Sequence, residues 1–219
     1  MSNITEEYVE EYIRELLPDH QGQLKVIEEN ALENQVPIVH KEVAALLKVI
    51  TKASKSKRIL EVGAAVGYSS ILLCQAAGDG AKVTTIERNE KRAEEARVNI
   101  EKLGLSNNIQ VIEGDAQEVL NFLQGTYDLV FLDGAKGHYK EMLEQCINLL
   151  KVGGILISDN ILFKGMVAND DLVVRRKRTI VNRMREYLQY ICNHPQLDTS
   201  IIPIGDGVAI SYKKLEESK

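Results

Sequence analysis

Two short acidic clusters in this chain have the residue types and the spacing to gather a hard cation. Phe131-Leu132-Asp133-Gly134-Ala135-Lys136 and Ile157-Ser158-Asp159-Asn160 each close an apolar run that reads as a buried parallel strand, with one amphipathic helix between them. Parallel strands present their carboxyl ends to a common crevice, so Asp133, Asp159 and Asn160 can converge there although they are distant in sequence. Two carboxylates and an amide are oxygen donors of the kind magnesium takes. The plainer alternative is a strand-end carboxylate capping a helix and an ordinary loop turn.

The elements that must position these residues follow from hydrophobic periodicity. Tyr8, Tyr12, Ile13, Leu16 and Leu17 form a helical stripe ending at Pro18. A second stripe runs through Leu24, Ile27 and Leu32 to Pro37, and a third helix is expected from Lys41 to Thr51. From Arg58 the period changes. Short β-branched runs at 58–63, 82–87, 109–113, 127–133 and 154–159 alternate with helical stretches, which predicts an α/β layered sheet with right-handed crossovers. A long helix is expected between Asp171 and Cys192. After it, the runs 199–204 and 208–212 flank Gly205-Asp206-Gly207 and read as an antiparallel hairpin. The expected architecture is therefore Rossmann-like: a mostly parallel seven-stranded sheet, a C-terminal hairpin and extra N-terminal helices. One domain is expected over 1–219, with a helical cap at 1–53 and the core at 57–213.

Composition bounds what such a fold can do. With 219 residues, 44% of them hydrophobic, the chain can bury one sizeable core, and a net charge of −5 argues against a protein that is basic all over. Cys74, Cys146 and Cys192 are odd in number and widely spaced, so they are expected as buried thiols of a reducing cytosol. The first residues show no basic region followed by an apolar stretch, and no run is long enough to span a bilayer, so a cytoplasmic protein without membrane attachment is expected. Neither the GxSxG elbow of serine hydrolases nor the GxxxxGK[ST] phosphate loop is present.

The first strand-to-helix turn, Glu61-Val62-Gly63-Ala64-Ala65-Val66-Gly67-Tyr68-Ser69, is a glycine-containing loop where doubly wound proteins bind nucleotides. Its spacing is not GxGxxG. Glu87 ends the next strand, where a carboxylate can accept both hydroxyls of a ribose. Glu61 would repel a pyrophosphate and attract an ammonium, so S-adenosylmethionine, with an amino-acid end and no phosphate, fits better than a dinucleotide. A tight packing turn in an unliganded sheet is the alternative.

On these motifs, together with Glu113-Gly114-Asp115-Ala116 and Gly153-Gly154-Ile155-Leu156-Ile157-Ser158-Asp159-Asn160, the chain resembles the class I S-adenosylmethionine-dependent, metal-dependent O-methyltransferases related to catechol and caffeoyl-coenzyme A enzymes. The resemblance covers roughly 39–212. It implies that Glu61, Gly63 and Ser69 contact the methionine end of the cofactor, Glu87 the ribose, Ala116 the adenine side, and Val39, through its backbone, the methionine carboxylate. It makes Asp133, Asp159 and Asn160 the ligands of Mg2+, sets Asp133 against the cofactor as well, and makes Lys136 the candidate general base beside it. Where the family usually carries a second aspartate, this chain has Ala135. The implied reaction is displacement of methyl from a sulfonium by a hydroxyl, with the metal holding two adjacent acceptor oxygens and stabilising the deprotonated one.

The acceptor is written in the C-terminal third. Between Ile161 and Tyr190 the charge is a net +4 in a chain that is acidic overall, concentrated in Arg175, Arg176, Lys177 and Arg178 and continued by Arg183 and Arg185. Such a run suits a phosphate backbone, whose contacts position a polyanion without reading its bases. A solvated face on a helix whose Ile180, Val181, Met184 and Leu188 enter the core is the plain reading. The stretch from Val174 to Arg185, with His194-Pro195 and the 203–211 segment, resembles the bacterial branch that methylates 5-hydroxyuridine at the wobble position of transfer RNA. That base sets its hydroxyl beside the C4 carbonyl, giving a metal the same two neighbouring oxygens as a catechol. An anticodon loop is then the expected partner, a catechol-like small molecule the alternative acceptor, and a non-catalytic cofactor- or RNA-binding protein a third reading. His40, Tyr68 and Tyr139 lie near these motifs and either stack on a base or pack in the core. Apolar N-terminal stripes and the family habit make a homodimer the expected assembly.

Overall fold

Short β-branched runs bounded by turn residues cannot bury their backbone polar groups alone, and here they pair side by side. In the computed structural model, which describes residues 4–215, the strands are β1 (Arg58–Val62), β2 (Lys82–Glu87), β3 (Ile109–Glu113), β4 (Tyr127–Leu132), β5 (Leu150–Ser158), β6 (Leu197–Ile202) and β7 (Val208–Lys213). They form one sheet in the order β3-β2-β1-β4-β5-β7-β6. The first five are mutually parallel, and β7 runs antiparallel between β5 and β6. The helices are α1 (Glu7–Leu16), α2 (Gly22–Glu33), α3 (Lys41–Ala53), α4 (Tyr68–Ala77), α5 (Glu90–Lys102), α6 (Ala116–Phe122), α7 (Tyr139–Leu149) and α8 (Arg178–Cys192).

Strand order reverses between β1 and β4, so the loops after these strands open a crevice at the sheet's carboxyl edge. Each sheet face carries its own apolar layer. One gathers Leu47, Ile59, Ile71, Leu72 and Phe131 with α2, α3 and α4, and the other gathers Leu60, Val130, Met142, Leu143, Met184 and Tyr187 with α7 and α8. No helix among the described residues is long and apolar enough to cross a membrane.

Four details depart from the sequence reading. The fifth strand begins at Leu150, not at Gly154, because the register shifts between Tyr127 and Leu129 and absorbs the two glycines within a bulged strand. A Cβ at Gly154 would come within 2.8 Å of the Lys151 carbonyl oxygen, so the bulge needs that glycine. The long helix starts at Arg178; before it the chain makes two 3₁₀ turns, one closed by the Asn169 side chain accepting from the Asp171 N–H (2.9 Å). The stripe of α1 faces outward: Tyr8, Tyr12 and Leu16 are more than 60% exposed, while Glu10 on the opposite face is buried. Cys74 and Cys146 are buried as expected, but Cys192, at the end of α8, is exposed.

Candidate active site

The crevice is a cavity of about 610 Å³ lined by backbone and side chains of the turns after β1, β2, β3, β4 and β5. Gly63, Glu87, Ala116, Asp133, Lys136 and Asn160 all line it. The turns after β1 and β4 touch back to back. Gly63 has φ +104°, and a Cβ there would lie 2.8 Å from the Asp133 carbonyl oxygen, so only glycine lets the two turns approach this closely.

Glu61 and Ser69 are buried and, unlike Gly63, do not line the cavity. Glu61 Oε2 accepts from Thr85 Oγ1 (2.5 Å) and from the Ser70 hydroxyl, while Oε1 is buried without a hydrogen-bond partner. Burial pushes the Glu61 carboxyl up, against the pull of the Ser69, Ser70 and Thr85 hydroxyls. An unpaired buried carboxylate oxygen is costly, and an ammonium donating to it would remove the cost. Glu87 is held by two backbone donors, Ala65 N–H to Oε2 and Asn89 N–H to Oε1, both 2.9 Å. Each oxygen keeps a lone pair for a further donor, as a ribose diol requires. The donor set therefore fits S-adenosylmethionine: Glu61 for its ammonium, Glu87 for its ribose, Ala116 beside its base. Val39 is buried, and its neighbours Ile38 and His40, not Val39 itself, line the cavity.

The two metal candidates on strand ends are brought to adjacent positions. Leu132 pairs with Ser158 across β4 and β5, the Asp159 N–H donates to the Leu132 carbonyl (2.9 Å), and the Asp133 N–H donates to the Val62 carbonyl (2.9 Å). Asp159 is 2% exposed, its Oδ1 accepting from the Asn160 N–H (2.7 Å). Asn160 has φ +57°, a conformation that asparagine tolerates better than most residues. Burial raises the Asp133 carboxyl, and the Asp159 charge raises it further; burial likewise raises Asp159. Two carboxylates on neighbouring strand ends, with Asp133 and Asn160 lining the cavity and Asp159 buried next to them rather than lining it, fit a divalent oxygen-seeking cation. Among the described residues no group of three or more His, Cys, Asp or Glu side chains is placed to hold a metal ion, and the candidate set is two carboxylates and the Asn160 amide.

Lys136 lines the cavity and acts electrostatically on Asp133, Asp159 and Asp206. Asp206 was not singled out from sequence. It sits at the tip of the β6–β7 hairpin, lines the cavity, and accepts the Lys164 N–H on Oδ1 (2.5 Å). A carboxylate between two glycines reads as turn chemistry, and only the packing of the tip against the loop after β5 carries it to the site. Arg88 and Arg92, also unforeseen, line the same cavity.

Arg175, Arg176, Lys177 and Arg178 are exposed and do not line the cavity. Lys177 lies over the Phe163 ring, 5.6 Å from its centroid, which ties this basic turn to the loop after β5. The other two arginines counted with it are committed to structure. Arg183 Nη1 donates to the Gly137 carbonyl (3.2 Å), and Arg185 binds the Met166 and Val167 carbonyls and the Asp170 carboxylate. Tyr68 and Tyr139 are buried, their rings in the core, whereas His40 is exposed at the cavity wall beside Arg14 and Glu42.

This strand order, with a glycine turn and an acidic residue closing the second strand, defines a Rossmann-like methyltransferase fold. A profile of the O-methyltransferase family matches residues 16–214, and the chain belongs to that family. A caffeoyl-CoA O-methyltransferase of Populus kitakamiensis is 33% identical over 171 residues, covering 75% of this chain and 73% of the relative. A catechol O-methyltransferase of Mycobacterium tuberculosis is 33% identical over 174 residues, covering 75% and 76%. Among solved structures, one from Staphylococcus aureus, provisionally named a caffeoyl-CoA O-methyltransferase, superposes with a TM-score of 0.88 at 34% identity, covering 94% of this chain and 100% of its own. An O-methyltransferase of Bacillus cereus in complex with SAH superposes with a TM-score of 0.83 at 25% identity, covering 94% and 97%.

Proposed function

We propose that this chain transfers a methyl group from S-adenosylmethionine to a hydroxyl that has a second oxygen beside it, with a divalent cation, Mg2+ in the simplest case, between enzyme and acceptor. The observation that carries the reading is the pair of carboxylates on adjacent strand ends, half-buried Asp133 lining the cavity that also holds Glu87 and buried Asp159 beside it. When bound, the cofactor supplies methyl on a sulfonium and the cation supplies positive charge to an acceptor oxyanion. Glu61 and Glu87 would hold the cofactor by its ammonium and ribose, and Asp133, Asp159 and Asn160 would hold the cation. Lys136, which lines the cavity, would take the acceptor's proton and pass it to solvent. Loss of turnover in chelator and its return with added Mg2+ are expected; turnover that persists in chelator refutes the cation.

Two acceptors meet the requirement for neighbouring oxygens. A catechol-like small molecule, of the flavonoid or caffeoyl type, is favoured by what the relatives of Populus and Mycobacterium are named for. The hydroxyl of 5-hydroxyuridine in a transfer RNA anticodon loop is favoured by a different observation: Arg175, Arg176 and Arg178 are exposed beside the loop after β5 and form no ion pair among the described residues. An unstacked wobble base can be splayed into a pocket while its phosphates meet those cations. Nucleoside analysis of transfer RNA from cells lacking the protein decides between them, since accumulated 5-hydroxyuridine supports the RNA acceptor and an unchanged profile leaves the small molecule. The exposed stripe of Tyr8, Tyr12 and Leu16 supports a homodimer, and three free cysteines suit a reducing cytosol.

A further inference from the structure

Tyr139 opens α7 directly behind the carboxylate pair and is 1% exposed. Its hydroxyl donates to two main-chain carbonyls at once, Leu132 at 2.9 Å and Asp159 at 3.2 Å. Leu132 immediately precedes Asp133. The Asp159 carbonyl lies one residue past the last strand pair, Ser158 with Ala209, where no neighbouring strand continues the ladder. The hydroxyl thus bridges β4 and β5 at the end of their pairing, alongside the last backbone bond between them, Asp159 N–H to the Leu132 carbonyl. The ring cannot swing away: it meets Tyr187 edge-on at 5.3 Å, and the Tyr187 hydroxyl is itself bonded to Ser158 Oγ at 2.5 Å.

We infer that Tyr139 is a positioning residue whose hydroxyl fixes the separation of the two strand ends that carry Asp133 and Asp159, and through it the geometry of the cation site. The inference rests on the proposed cation site. A small divalent cation demands near-ideal placement of its oxygen ligands, and strand ends that fray by a fraction of an ångström lose that placement. The Tyr139 hydroxyl holds both strand ends through their main-chain carbonyls, leaving the two carboxylate side chains uncommitted to it.

The test is titration of purified wild type, Tyr139→Phe and Tyr187→Phe with Mn2+, followed by electron paramagnetic resonance of the free ion, with SAH affinity measured in parallel. Tyr139→Phe should bind Mn2+ about tenfold more weakly while SAH affinity stays within about twofold of wild type, the range that outer partners of metal ligands command. Tyr187→Phe, which removes an equally buried hydroxyl that touches neither carbonyl, should bind Mn2+ as wild type does. Wild-type affinity in Tyr139→Phe, or equal weakening in both variants, overturns the inference while leaving the cation site standing. Absence of Mn2+ binding by the wild type overturns the cation site and the inference with it. Should Tyr139→Phe fail to fold, exchange of the Tyr139 hydroxyl proton in the labelled wild type serves instead: slow exchange, slowed further by Mg2+, is expected, and fast exchange in the folded protein overturns the role.

Discussion

The two ends of the cavity are built on different principles. The end at β1 and β2 is made of groups already committed: Glu61 is buried among hydroxyls, Glu87 is fixed by two backbone N–H groups, and Gly63 is pressed against the Asp133 backbone. The end at β5 opens onto a loop with three consecutive-region residues at positive φ, Asn160, Phe163 and Lys164, and then onto four exposed cations. A rigid end suits a ligand that never changes, and an exposed, loop-built end suits the part of the reaction that differs among relatives. The contrast explains why the family and the reaction can be argued from one half of the site while the acceptor has to be sought in the other.

The comparison can be broken at its hinge first. Asp133→Ala removes one of the two carboxylates at the boundary and should lower turnover by about a thousandfold or more with either acceptor, since a metal contributes several kcal/mol of charge stabilisation; steady-state kinetics across Mg2+ concentrations check this. Within the rigid end, Glu61→Gln should weaken SAH binding by about 10- to 100-fold, the scale of a charged hydrogen bond lost in a buried setting, as read by calorimetry. At the open end, replacing Arg175, Arg176, Lys177 and Arg178 together by Ala should lower transfer RNA affinity by about tenfold and flatten its salt dependence by about 3 in log–log slope, with catechol methylation unchanged. Equal loss on both acceptors would refute the RNA reading.

The smallest effect concerns the wall formed by α1 and α3. Burial pushes the Glu42 carboxyl up, but Arg14 and His40 outweigh it and hold it at about 2, below an ordinary 4.5. A carboxyl depressed in the folded state adds stability above its unfolded value and loses it as pH falls from about 4.5 to about 2. Because Arg14 is one-third exposed, we expect about 1–2 kcal/mol rather than the full shift. Urea unfolding at pH 6 and pH 3 should show that loss in wild type and a smaller one in Glu42→Gln.

Particular residues show where sequence reading stopped. Six of the seven strands fall within two residues of where the apolar runs put them, whereas the fifth starts earlier since a bulge has no periodic signature. The outward stripe of α1 has the same spacing as a core stripe, and nothing in that spacing tells a helix which side the sheet is on. Arg183 and Arg185 are indistinguishable by type from Arg175 and Arg176, yet the first two donate to carbonyls of the site loops and the other two do not.

What the sequence by itself determined is local chemistry in fixed order: a glycine turn, an acidic strand end, two acidic clusters and a basic run, each legible because it depends on residues within one turn of the chain. The tertiary structure alone decided which of these meet. Sheet order set β1 beside β4, strand register put Asp133 against Asp159, and hairpin packing brought Asp206 to the same cavity. Those contacts span long loops, and their geometry is set by how two apolar faces close over one sheet, which no local pattern encodes.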